Sequence, residues 1–268
     1  MKDASILGNL RGMLVDEIHG LRYIFLIVPL VIMYRPLLFF GNQYSDASVG
    51  SIFLSNMFGG SYAVSKIKIT LSVMSLFSII IINILLSDYI SGDLLNNGEY
   101  IFCRVKNRRK WFIKKCFGLM GYSFAGGCLT VSLYSIGAVL KSNKNIMYSD
   151  VSVIFQTVLI LFLFTVMSSN LINIFSLRYG ISISFLIVYS IIVVSTILTY
   201  IFQKYENIKA FGIMQKMNIM SNVIIAWNFS DKYIWYSMTY FFVLNLIIIF
   251  AGVSIVQNYE IGIKNKEQ

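Results

Sequence analysis

The sequence predicts an all-α, polytopic membrane protein of six transmembrane helices, and three observations carry that prediction. Hydrophobic residues fill 57% of the 268 positions and charged residues only 13%, about half the charged share of a soluble domain. Mean hydropathy is +0.73. The apolar residues also come in runs about 20 long, the length a helix needs to cross ~30 Å of hydrocarbon. A chain so poor in charge cannot clothe a water-facing surface, so lipid faces much of it. Residues 1–268 read as a single transmembrane domain, because no polar stretch is long enough to fold by itself.

Residues 1–20 open the chain with Leu7, Leu10, Leu14, Ile18 and Leu21 at steps of three and four. That spacing lays them along one helical stripe, and the segment reads as an interfacial amphipathic helix or, alternatively, a soluble docking helix. The expected spans follow at 21–40, 67–87, 116–140, 151–175, 181–202 and 235–256. The first is blemished by Pro29, Arg35 and Pro36, which leave room for a bent or short crossing. Gly118, Gly121, Gly126 and Gly127 mark the third span for close helix packing. Tyr and Trp gather near span ends (Tyr89, Trp111, Tyr148, Tyr200, Trp235), where their amphipathic rings settle among headgroups.

Two connections carry more information than the others. Residues 88–115 form the longest inner loop, with turn signals at Gly92 and Asn96-Asn97-Gly98 and then a basic run through Arg108-Arg109-Lys110-Trp111. Residues 203–234 are too polar to span. Ala210, Ile213, Met214, Met217, Met220, Ile224 and Trp227 fall on one helical face there, with Lys209, Gln215, Lys216, Asn218 and Asn222 mostly on the other. This is the pattern of an external amphipathic helix or of a re-entrant hairpin.

Orientation follows from the basic residues. With the N-terminus inside, the inner segments hold Lys2, Arg11, Arg22, the run from Arg104 to Lys115, Arg178, Lys264 and Lys266. The outer segments hold fewer: Lys66, Lys68, Lys141, Lys144, Lys204, Lys209, Lys216 and Lys232. The positive-inside bias therefore places both termini in the cytoplasm. The Ile-, Asn- and Lys-rich composition fits an AT-rich bacterial genome, so the expected location is a bacterial plasma membrane. No cleavable leader is expected, because the first apolar run lacks a small-residue cleavage site.

The net charge of +10 points to anionic membrane lipids as partners, and no nucleic acid is expected. Three cysteines without ligand spacing and a single histidine give no metal site and no disulfide framework. Phosphate-binding GxxxxGK[ST], dinucleotide, GxSxG and HExxH motifs are all missing. The spans hold almost no acidic residue, which disfavours a proton or sodium relay. The chain is therefore expected to carry no catalytic residue and no cofactor of its own. Asn83, Gln156, Asn170, Asn173 and Asn245 are the polar exceptions within the spans. They either tie helices together by hydrogen bonds or line a lateral translocation path.

The order of these features resembles the permease subunits of type 2 ABC transporters, the exporter-like class, and most of all the small permeases of Gram-positive bacteriocin and peptide-antibiotic systems. The motif-level likeness lies in residues 93–115. An acidic residue and a glycine (Asp93, Gly98) precede a short hydrophobic stretch (Tyr100-Ile101-Phe102), then Arg104 and the step Asn107-Arg108-Arg109-Lys110-Trp111 into the third span. The chain departs from the commoner form in having Asn97-Gly98-Glu99 for Glu-Gly-Thr and no proline after the stretch, with Val105-Lys106 near its place.

The resemblance implies that Asp93, Gly98, Glu99, Tyr100, Ile101, Phe102 and Arg104 form a coupling segment. It would be driven by a separate cytosolic ATPase dimer that carries the ATP and Mg. A second permease subunit, identical or related, would complete the path. The implied cargo is an amphipathic peptide, for export or self-immunity, or a hydrophobic small molecule. Two alternatives stand beside it: a non-transporting immunity or sensor-adaptor protein on the same scaffold, and a glycan or lipid exporter permease.

Overall fold

The computed structural model describes residues 47–58, 79–105, 107–204, 209–224 and 231–259. The predicted interfacial helix and first span therefore lie outside the described residues, as does the first half of the second span. The described elements are α1 (Val49–Phe58), α2 (79–86), α3 (Ser91–Arg104), α4 (Arg108–Lys141), α5 (Tyr148–Tyr179), α6 (Ile181–Lys204), α7 (Lys209–Met217), α8 (Ile219–Val223) and α9 (Asp231–Gln257). No strand occurs among the described residues. Four helices, α4, α5, α6 and α9, are long and apolar enough to cross a membrane, and they contain the third to sixth predicted spans.

α4, α5 and α6 alternate in direction because the connections between them are short, and α7 and α8 lie between α6 and α9. α4 is 34 residues long and α5 is 32, so each measures about 50 Å and overshoots the hydrocarbon layer. The overshoot of α4 carries Arg108, Arg109, Lys110, Lys114 and Lys115. Asn107 starts that helix by accepting a hydrogen bond from Lys110 N at 3.1 Å. α5 ends at Gly180, whose φ of 81° turns the chain straight into α6 through a conformation that suits glycine. Arg108 donates to the carbonyls of Gln257 (3.4 Å) and Tyr259 (2.8 Å), which puts a cation at the negative end of α9. Arg108–Lys115, Arg178 and the end of α9 thus share one basic end of the bundle. Lys141, Lys144 and the start of α9 lie at the opposite end.

α5 is the central helix, packed against α4, α6 and α9 and against the shorter α1, α3 and α8. Half of its most apolar window is buried, against 28% for α6. The surface left outward is apolar (Phe117, Phe155, Leu186, Phe242, Phe250), as a lipid-facing surface must be. Lipid tails are as apolar as leucine, so close packing and hydrogen bonds must supply most of the helix-to-helix attraction. Both are present. A Cβ on Gly126 would stand 3.0 Å from Ile82 Cδ1, and one on Gly118 would collide with the Tyr89 hydroxyl. The glycine-rich face of α4 therefore receives the 79–90 segment, as close packing of the third span requires. Phe164 and Phe241 meet edge to face at 5.9 Å where α5 crosses α9.

Two sequence expectations are corrected, and one element lies where none was predicted. Between the first two predicted spans lies α1, with Ile52, Phe53, Leu54, Met57 and Phe58 buried against α4 and α5. Among the described residues, the apolar side chains of α1 serve packing. Gly92 and Asn96-Asn97-Gly98 read as turns but run helical within α3, because tertiary partners outweigh their weak propensity. The periodicity of 210–227 implied one continuous face, but the helix breaks at Asn218. Ile213, Met214 and Met217 are exposed, whereas Met220, Asn222 and Ile224 are buried. Trp227 lies outside the described residues.

Candidate functional site

The predicted coupling segment is helix α3. It begins beyond a one-turn break at residues 87–90 that separates it from α2, and it stands at the basic end. Its inner face is formed by Ser91, Leu94 and Gly98, all buried, with Ile101 half-buried. Leu95 and Cys103 are exposed on the opposite side. Asp93 accepts an ion pair from Lys115 of α4 at 2.7 Å, and the same ammonium sits 4.6 Å from the centre of the Tyr89 ring. Partly exposed pairs of this kind contribute about 0–1 kcal/mol each, so they orient α3 more than they stabilise it. Of Glu99, Tyr100, Phe102 and Arg104, the helical backbone is described.

The stronger attachment comes from α5. Asn173, fully buried, turns its side-chain carbonyl to the first N–H groups of α3, accepting from Ile90 N at 2.8 Å and Ser91 N at 3.2 Å. Its amide nitrogen donates to Leu86 O at 2.7 Å and Ser169 O at 2.9 Å. A helix start leaves N–H groups without partners, and the residue before α3, Ile90, has no side chain able to cap them. The cap is supplied from another helix.

One turn further into the bundle, Asn83 makes a second junction. It donates to Ser168 Oγ (2.8 Å) and Tyr189 Oη (2.7 Å) and accepts from Ser169 Oγ (2.6 Å). This joins α2, α5 and α6 through one side chain. Interhelical hydrogen bonds in membranes contribute roughly 0.6–1.7 kcal/mol each, and stranding such a group in an apolar core costs more.

The remaining polar span residues are placed less symmetrically. Asn170 accepts a weak bond from Cys116 Sγ at 3.6 Å, and its amide nitrogen has no hydrogen-bond partner among the described residues. Asn245 donates to Leu163 O and Phe241 O, both at 2.9 Å, while its side-chain oxygen has no partner among the described residues. Gln156 is half-buried and donates to Ser152 Oγ of its own helix at 3.2 Å. Four of the five residues read as path candidates are thus buried in helix contacts. Only Gln156 presents surface.

Two further polar junctions lie at the opposite end. Asp150 accepts from Gly50 N at 2.9 Å and Met147 N at 3.0 Å, so one carboxylate caps the starts of both α1 and α5. Asn218 accepts from Met220 N (2.9 Å) and from Ser195 Oγ, and donates to Ser195 O (3.0 Å). Asn222 accepts from Ser237 Oγ at 2.9 Å. Ser195 lies about 13 Å short of the end of α6 at 1.5 Å per residue, so the 209–224 segment folds back along that helix. Beside it opens a shallow groove of about 410 Å³, lined by Ile191, Val194, Leu198, Met217 and Ile219 with Ser190, Ser195 and Asn218. The sequence reading missed these partners of Asp150 and Asn218. The available signals were an acidic residue in the first turn of a helix and an asparagine just before Ile219-Met220.

Among the described residues, no group of three or more His, Cys, Asp or Glu side chains comes together to hold a metal. No protein-family model, no curated protein and no solved structure matches the chain. In α3 a two-faced helix is bound at its start to the central helix.

Proposed function

We propose that this chain is the membrane-spanning permease subunit of an ATP-driven exporter, powered by a separate cytosolic ATPase. The ATP and Mg belong to that partner. Six spans, an interfacial N-terminal helix and a re-entrant 209–224 segment complete the architecture of this reading, with the basic end in the cytoplasm. The cargo class is an amphipathic peptide or a hydrophobic small molecule, and a second permease subunit supplies the other wall of the path.

The observation that carries the reading is the placement of α3. A helix of 14 residues precedes α4 at the basic end, with Ser91, Leu94 and Gly98 buried on one face and Leu95 and Cys103 exposed on the other. An anchoring loop needs neither that helix nor its buried cap, since basic side chains alone would hold it to headgroups. In lipid-rich surroundings, a carboxylate-poor bundle also needs an external source of energy, and a partner ATPase provides it.

Replacing Tyr100, Ile101 and Phe102 together with alanine tests the drive contact. Extrusion, or resistance in cells that express the neighbouring genes, is expected to fall by an order of magnitude while membrane expression holds. Unchanged extrusion would reduce α3 to an anchor and favour the non-transporting alternative.

A further inference from the structure

Asn173 was expected either to tie helices or to line a path, and its hydrogen bonds tie α5 to the joint between α2 and α3. Its four hydrogen bonds do not simply join two helix flanks. They reach both edges of the break between α2 and α3: the Leu86 carbonyl that ends one helix, and the Ile90 and Ser91 N–H groups that begin the other. The fourth bond runs to Ser169 O in its own helix. The break therefore has no freedom to open or swivel without leaving buried backbone groups unpaired.

The geometry points to Asn173 as a positioning residue, the pin that makes α3 move with α5 rather than swing at the 87–90 turn. Without the pin, a push on α3 would be absorbed by that turn. With it, displacement passes to the central helix, and the Asn83 junction beside it carries the same motion from α2 and α5 to α6 through Tyr189. The side groups at the joint fit this role. Tyr89 projects from the turn against Gly118 and stands edge to face with Tyr122 at 5.4 Å, so the turn is also wedged against α4. The use of this joint in transport rests on the permease reading; the joint itself rests on the hydrogen bonds.

Hydrogen exchange on the full chain in lipid nanodiscs tests the pin. In Asn173→Ala, the amides of 87–94 are expected to exchange about tenfold faster or more, because the Ile90 and Ser91 N–H groups lose their buried acceptor. The amides of α6 and α9 should keep their rates. Asn83→Ala, equally buried but off the break, should leave 90–94 unchanged. Asn173→Ser, which keeps a hydroxyl but cannot serve both edges of the break, gives the same pattern in milder form should the alanine variant not fold.

In cells, extrusion by Asn173→Ala is expected to fall at least tenfold with expression unaltered. Wild-type exchange at 87–94, a uniform rise across all helices, or normal extrusion despite a loosened turn would each overturn the pin. Extrusion that is indifferent both to Asn173→Ala and to the triple change in α3 overturns the permease reading instead. The exchange rates then decide the joint by themselves.

Discussion

At the scale of single residues, the described chain handles buried polarity with short side chains that serve several groups at once. Most span hydroxyls bond the carbonyl one turn back in their own helix, as Thr157, Thr165 and Thr199 do, and so add little between helices. The amides and Asp150 do the joining. Asp150 shows the logic best, since a carboxylate at two helix starts meets two sets of unpaired N–H groups and the positive ends of two dipoles. Asp150→Ala strands Gly50 N and Met147 N, at about 2–4 kcal/mol together, and is expected to lower the unfolding temperature in detergent by roughly 5 °C or more. Asp150→Asn keeps one acceptor and should lose about half as much. An unchanged midpoint in both would mean that the double cap does not stabilise the fold. The pairing of Asp150 with Gly50 was not legible in the sequence, because the two lie 100 positions apart and no local pattern joins them. Asn83 and Asn173 were legible as interhelical bonders, whereas the helix break that Asn173 holds was not.

At the scale of elements, the long spans and the short helices obey different rules. A run of 20 apolar residues has one stable answer in lipid, so α4, α5, α6 and α9 follow from hydropathy. Short helices gain little from intrinsic propensity, and α1, α3 and α8 form because neighbours cap and bury them. That is why glycines and asparagines in α3 resembled turns, and why the face of 210–227 changed at Asn218. The α7–α8 pair gives a direct check. Asn218 starts α8 and binds the Ser195 backbone of α6, and Asn218→Ala removes a cap worth ~1 kcal/mol together with the link to α6. Tryptic cleavage after Lys216 in nanodiscs is expected to accelerate about tenfold, with cleavage near Arg108 unchanged. Equal rates in the variant and the parent would show that α7 and α8 hold their place by apolar packing alone.

At the scale of the whole molecule, the described helices form a bundle around α5 with two unlike ends. One gathers Arg108, Arg109, Lys110, Lys114, Lys115 and Arg178 at the end where α3 lies. The other gathers the Asp150 cap, α1 and the folded-back α7–α8 pair. Charge distribution made this asymmetry legible from sequence, and helix direction places the clusters consistently with it. The arrangement has a mechanical reading: a helix exposed at the basic end, pinned to the central helix, with hydrogen-bonded junctions leading on to α6.

That reading turns on what touches α3 in the cell, and the protein carries its own probe. Cys103 is exposed on α3, while Cys116 is buried and Cys128 is half-buried within α4. Treating cells that express the chain with its neighbouring genes with a membrane-permeant thiol-to-amine cross-linker, then identifying the adduct, asks the question directly. The account predicts a cross-link to a P-loop ATPase that disappears in Cys103→Ser and persists in Cys128→Ser. Efficient labelling of Cys103 with no ATPase adduct, under conditions where the transport phenotype is intact, would contradict it.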